Sequence, residues 1–213
     1  MRAALIGLAW TILLTTSVFA EERTFQVSVD GKPAGICRMK VTSAVGAETV
    51  EMNVDVRFRT LGIKYEYLSK CVEVWKNGEV QKFESVVNDD GKKSHVKADV
   101  GERGLTVVVD NRASTCAKTA IPVTGWRIPR FDRETQDAII LDSEDGTTTP
   151  AKIEYVGRIQ LKLANQTLEG NRYKVSGKGI DAEWAYDTTG RPIRQSMKWD
   201  GHTVVLELSG IEK

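Results

Sequence analysis

The chain has 213 residues and a nearly even charge balance, 30 lysines and arginines against 29 aspartates and glutamates. No overall field draws it toward nucleic acid or anionic lipid, so no nucleic-acid partner is expected and any membrane contact is peripheral. Three cysteines, an odd number, make no full disulfide framework, and the length suits one domain that buries roughly 70% of its unfolded surface.

The N-terminal residues run from Arg2 through AALIGLAWTILLTTSVFA to a polar switch at Glu21-Glu22-Arg23. This reads as a signal peptide over residues 1–20, cleaved after Ala20. The alternative is a retained anchor, since Ala3 to Ala20 could almost span a bilayer. No cysteine near the junction could carry a lipid. The expectation is export, to a periplasmic or extracellular location, with residues 21–213 forming a single all-β domain.

Strand patterns then follow one another. Phe25, Val27 and Val29 alternate up to Asp30-Gly31, and Cys37, Met39 and Val41 share a side. Met52, Val54, Val56 and Phe58 alternate with Asn53, Asp55, Arg57 and Arg59, as a half-buried strand requires. From Leu61 to Val100, Asn77-Gly78 and Asp90-Gly91 cut the chain into three runs, and such dipeptides close two-residue hairpins. With two-residue loops, Val74 faces Gln81, Glu73 faces Lys82 and Val72 faces Phe83. Beyond the second turn Glu84 faces Lys97, Phe83 faces Ala98 and Lys82 faces Asp99. Val72, Val74, Phe83, Val87, Val96, Ala98 and Val100 then form one apolar face, with charge ladders on the other.

Leu105 to Val109 is another strand, whereas Asp110 to Asp137 lacks a sustained period and holds Pro122, Trp126 and Pro129. It is expected to be a long excursion that crosses or caps the sheet, with Trp126 as a plug. Order returns with a hairpin over Ala138–Leu141 and Thr148–Tyr155, then Ile159, Leu161 and Leu163, and then Arg172 to Ser176. Across a last Asp200-Gly201 turn, Met197 faces Val204, Gln195 faces Leu206, Ile193 faces Leu208 and Arg194 faces Glu207. The expected fold is all-β, a single strongly curved antiparallel meander sheet of roughly ten to thirteen strands, closing as a half-barrel or open barrel because so wide a sheet cannot stay flat. A split into a two-sheet sandwich is the alternative.

The ordered motifs FQVSVDGKPAG, LGIKYEY, EVWKNG, FESVVNDDGK, RYKVSG, WAYDTTGR and a final DG hairpin resemble a domain-of-unknown-function family of secreted bacterial proteins, over about Phe25 to Leu208. The resemblance implies an exported bacterial protein with an antiparallel β fold; it implies no activity and brings no functional residues. A looser architectural similarity is to the half-barrels of periplasmic lipoprotein carriers.

Chemistry-bearing patterns are sparse. His95 and His202, the only histidines, fall opposite Val86 and Trp199, and neither has ligand spacing for zinc. The acidic run Asp142-Ser143-Glu144-Asp145-Gly146 occupies a hairpin turn and lacks the spacing of a calcium loop. Glu73 and Glu84 could serve as a glycosidase pair, but a lysine lies across from each. Tyr65, Tyr67 and Trp75 fall on that same charged face, as an aromatic strip or as surface covered by the excursion. At most one disulfide is expected, involving Cys116 more readily than joining Cys37 to Cys71, which a third strand should separate. No nucleophile, metal or cofactor motif appears, so no cofactor and no enzymatic activity are expected.

The reading that remains is a non-enzymatic binder or carrier of an apolar ligand such as lipid. Its candidate binding face is Val72, Phe83, Trp126, Ile193, Met197, Trp199 and Leu206, residues that would instead be solid core if the sheet closes completely. The alternatives are an envelope interaction or structural module, with the protein partner open, and a hydrolase with an unfamiliar site.

Overall fold

The computed structural model describes residues 19–44, 46–60, 63–128, 134–164 and 166–212. Of the expected signal segment only Phe19 and Ala20 fall among them, at the start of the first strand; Leu61 and Pro129 lie outside the described residues. The structure is a single sheet without helix among these residues. Eight strands lead outward from its centre: β1 (Phe19–Val29), β2 (Lys32–Ala44), β3 (Ala47–Thr60), β4 (Ile63–Lys76), β5 (Glu79–Asp89), β6 (Lys92–Val100), β7 (Leu105–Val109) and β8 (Arg112–Cys116). The chain then crosses to the opposite edge. It returns through β9 (Ile121–Pro122), β10 (Thr135–Leu141), β11 (Thr148–Leu163), β12 (Gln166–Gly177), β13 (Ile180–Asp187), β14 (Pro192–Trp199) and β15 (His202–Glu212).

Strand order runs β8 to β1 and then β15 to β9, so pairing of β1 with β15 joins two meanders, and the sheet edges come from mid-chain. All neighbours are antiparallel except the short β9–β10 pair. Fifteen strands exceed the expected ten to thirteen. The surplus lies in the supposed excursion, where Asp110 and Asn111 both take positive φ and turn the chain into β8. That edge strand is exposed on both faces, so it carries no apolar alternation to betray it. Of the expected excursion, the described residues beyond β8 that stay outside strands are 117–120, 123–128 and 134.

Curvature is the main tertiary fact. Tyr65 on β4 and Trp199 on β14 are five strand steps apart in the sheet, about 24 Å on a flat surface, yet their ring centroids lie 5.3 Å apart. Phe58 and His202, three steps apart, are at 5.6 Å. The sheet therefore rolls into an open barrel with one apolar concave face. Among the described residues its edge strands β8 and β9 do not hydrogen-bond to each other. Instead the β10–β11 turn seats against β6 and β7: a Cβ on Gly146 would stand 2.5 Å from a Val109 methyl and 3.1 Å from one of Val107. The C-terminal end of β10 is accordingly buried on both sides, Leu141 in the main core and Ile140 in a second cluster with Ile153, Val175 and Trp184.

The registers β5–β6 and β14–β15 match the turn-based expectation: Lys82↔Asp99, Phe83↔Ala98 and Glu84↔Lys97, and Met197↔Val204, Gln195↔Leu206 and Arg194↔Glu207. The β4–β5 register does not. Trp75 pairs Val80 while Val74 pairs Lys82, leaving Gln81 as an extra residue in a bulge. Because β5 is held by β6, the slip inverts β4. Glu73 faces Phe83 and is fully buried, whereas Val72 points outward at 41% exposure. Val74 leaves the apolar face with it, and Val100 is exposed at the end of β6.

Candidate functional site

The concave face is not filled. Between β1–β4 on one wall and β14–β15 on the other lies a half-open cleft of about 240 Å³. Apolar side chains dominate it: Val27 and Val29, Met52, Val54 and Val56, and Met197, Val204 and Leu206. Each occupies an inward position of its strand, the consequence of period-two alternation over a sheet that curls toward that side.

An aromatic wall stands at one end. Phe58 and Tyr65 pack at a tilt with ring centroids 5.0 Å apart, Trp199 lies 5.3 Å from Tyr65 and 6.1 Å from Tyr67, and His202 packs edge-on against Phe58. Aspartate 30 holds His202 in place, accepting at 2.7 Å from the ring and at 2.9 Å from the Thr203 N–H, and these bonds hold its carboxyl below the ordinary range. Beside the wall lies the β10–β11 turn, from which Asp142, Ser143 and Glu144 line the cleft. The Asp142 carboxylate accepts from the N–H groups of Glu144 and Asp145, which fixes the turn. The Tyr65 hydroxyl donates to Asp89, and burial, followed by that bond, pushes the phenol up; burial and then Glu144 do the same to Tyr67. Burial also raises the Glu144 carboxyl, with neighbouring Asp142, Asp89 and Asp145 adding to it and the Tyr67 bond opposing it.

The other end is closed by the excursion. Thr124 donates to the Glu73 carboxylate, the Gln195 amide donates to the carbonyls of Thr124 and Gly125 at 2.8 and 3.2 Å, and the Tyr186 hydroxyl donates to Gly125 at 2.8 Å. These bonds drive Trp126 into the core with no exposed surface, where guanidinium carbons of Arg127 and Arg191 lie 5.6 and 5.8 Å from its ring. Glu73 also accepts from the Trp75 indole at 2.6 Å and from the Cys71 thiol at 3.8 Å. Burial nonetheless pushes its carboxyl up to about 7. Behind the plug, buried Arg23 spans Glu21 and Asp187 at 2.7 Å each.

The residues singled out from sequence divide three ways. Met197, Trp199 and Leu206 line the cleft. Phe83, Trp126 and Ile193 are packed solid beneath and beside it. Val72 is outside because of the bulge. The same bulge moves Tyr65, Tyr67 and Trp75 from the charged face to the concave one, the first two into the cleft and Trp75 into the core. It also parts the supposed carboxylate pair, since Glu73 is interior while Glu84 stays outside, bonded to His95 at 2.8 Å and Lys97 at 3.2 Å. Missed by sequence were Glu73, Thr124, Gln195 and the acidic turn as parts of one site. A signal for the bulge existed: Val80 and Phe83 are both buried, and their spacing of three breaks a period of two.

Cys37 and Cys71 are buried free thiols that line the cleft wall, and Cys116 is a free, half-buried one. Burial pushes Cys37 up to about 12 and, with Glu73 adding to it, raises Cys71 as well. All three thiols are free, so the disulfide permitted to Cys116 is not formed.

Fold and cleft together define an open, barrel-like all-β protein with an apolar trough on its concave face. Residues 25–209 match the model of the family described as Domain of unknown function (DUF6134), and the chain belongs to that family. A similar solved structure is the beta-barrel-like protein of domain of unknown function DUF1849 from Brucella abortus, with TM-score 0.64 at 8% identity, covering 93% of this chain and 99% of that one. At that identity the likeness shows the fold alone. No curated protein matches the chain.

Proposed function

We propose that the protein is a non-enzymatic binder or carrier of an apolar small molecule, lipid-like in character, held in the cleft beneath the aromatic wall. The observation that carries this reading is the unfilled trough itself: protein interiors are normally close-packed, whereas here Met52, Val54, Met197 and Leu206 face open space. The volume of about 240 Å³ falls just below the ~300–1,000 Å³ of drug-sized pockets. That suits one slender chain whose remainder leaves through the open mouth. Nucleophilic chemistry fits the site poorly, because burial holds the Cys37 and Cys71 thiols in the protonated, unreactive form. Export remains part of the proposal, resting on the N-terminal sequence pattern.

Met197→Lys tests the reading. It places an ammonium at the open wall, where the stem can lie along apolar surface with the charge in water. The expected result is a folded protein, judged by circular dichroism and thermal melting, that no longer enhances the fluorescence of a neutral apolar dye such as N-phenyl-1-naphthylamine. Unchanged dye binding by the folded variant would contradict it.

A further inference from the structure

Resting on the binder reading above, the charges around the cleft allow its ligand to be narrowed. The described residues that line it include two carboxylates, Asp142 and Glu144, and no lysine or arginine. Asp89 stands behind Tyr65 and Asp145 follows Glu144 in the turn. Among the described residues no ion pair reaches Asp89, Asp142, Glu144 or Asp145: the hydrogen bonds they accept come from the neutral Tyr65 and Tyr67 hydroxyls and from backbone N–H groups of the turn itself. Asp142, Glu144 and Asp145 thus crowd one end of an apolar trough with no ion pair among the described residues, while Asp89 has Lys92 across the β5–β6 ladder. Facing the cleft at that end are Phe58, Tyr65, Tyr67 and Trp199. Aromatic rings attract cations through the negative face of their π systems, and more strongly where water is excluded.

We propose that the cleft selects a cationic amphiphile, an apolar chain ending in an ammonium or quaternary ammonium group, with the chain along Val54, Met197 and Leu206 and the cation between Glu144 and the aromatic wall. Such an occupant supplies the charge that this end lacks. An anionic head, as on a fatty acid, would meet carboxylates there. Three basic side chains, Arg57, Arg59 and Lys64, line a separate depression on the β3–β4 hairpin with Phe58, Tyr65, Glu66 and Asp90. Arg57 is already paired with Asp55 and Glu66, and Arg59 sits opposite Lys64 on the exposed face. That depression is the rival seat for an anionic head, and the test includes it.

The experiment is calorimetric titration of the full chain, below micelle formation, with three probes that share a dodecyl tail: dodecyltrimethylammonium, dodecanoate and neutral dodecyl maltoside. The expected result is tightest binding of the trimethylammonium probe. Glu144→Gln should weaken that probe about tenfold and leave dodecyl maltoside unchanged. Trp199→Leu, which keeps the apolar surface but removes the π face, should lower the cation preference again; either variant alone suffices if the other fails to fold. Equal binding of all three probes would overturn the charge selectivity while leaving the binder reading intact. Tighter dodecanoate, weakened by Lys64→Ala, would overturn it in favour of the hairpin depression. No binding of any probe would remove both readings.

Discussion

Glu73 shows how much one side chain can carry in this fold. It is fully buried, accepts hydrogen bonds from Thr124, Trp75 and Cys71, and so ties the plug to the sheet from within. Burial outweighs these donors and lifts its carboxyl from 4.5 to about 7. With the folded pKa above the unfolded one, the native state binds the extra proton between these values. Stability is therefore fully expressed below about pH 4.5 and falls as pH rises to about 7, by about 3 kcal/mol from this group. Glu144, raised in the same sense, adds to the slope. Glu73→Gln should flatten the stability–pH curve over that interval, measured by urea unfolding at several pH values. Identical slopes in variant and parent would contradict the assignment. Sequence placed Glu73 in an exposed ladder, because the pairing with Lys82 follows from a two-residue turn and only the extra Gln81 undoes it.

At the scale of elements, turn chemistry governs what could be read in advance. Asn77-Gly78, Asp90-Gly91 and Asp200-Gly201 all take positive φ at both positions, and two of the three hairpins keep the register that the turns imply. The third fails locally, since a bulge adds one residue without altering the turn dipeptide. β9 was illegible for a different reason. It is two residues long, pairs in parallel with β10, and owes its existence to the whole sheet rather than to its own pattern. β10 was partly legible: Ala138 to Leu141 is a continuous apolar run, the pattern of a strand covered on both faces. The seating of its turn on β6–β7 is open to test by a matched pair of substitutions. Gly146 has φ 68° and no room for a Cβ, whereas Gly201 has φ 79° and nothing within 4 Å. Gly201→Ala should cost about 1 kcal/mol, the left-handed penalty alone. Gly146→Ala should cost roughly 2–4 kcal/mol, the same penalty plus the overlap with Val109. Equal shifts in the denaturation midpoint would mean that the turn is not packed as described.

At the scale of the molecule, joining β1 to β15 at the centre leaves two mid-chain edges that, among the described residues, do not hydrogen-bond to each other. Closure is replaced by packing, the β10–β11 turn at one place and the Trp126 segment at another, and the trough survives between them. Strand alternation made the concave face legible as apolar, but whether that face is core or groove depends on how far the sheet curls, which no short stretch encodes. The outcome is divided: Phe83 and Ile193 are core, while Met197 and Leu206 border open space. The methionines report on this division directly, since Met52 and Met197 line the cleft and Met39 is packed in the core. Methyl-labelled methionine NMR during titration with dodecyl maltoside, below micelle formation, should show saturable shifts of the Met52 and Met197 methyls while Met39 stays still. Absence of any shift up to that limit, or equal movement of all three, would contradict a ligand cleft on the concave face.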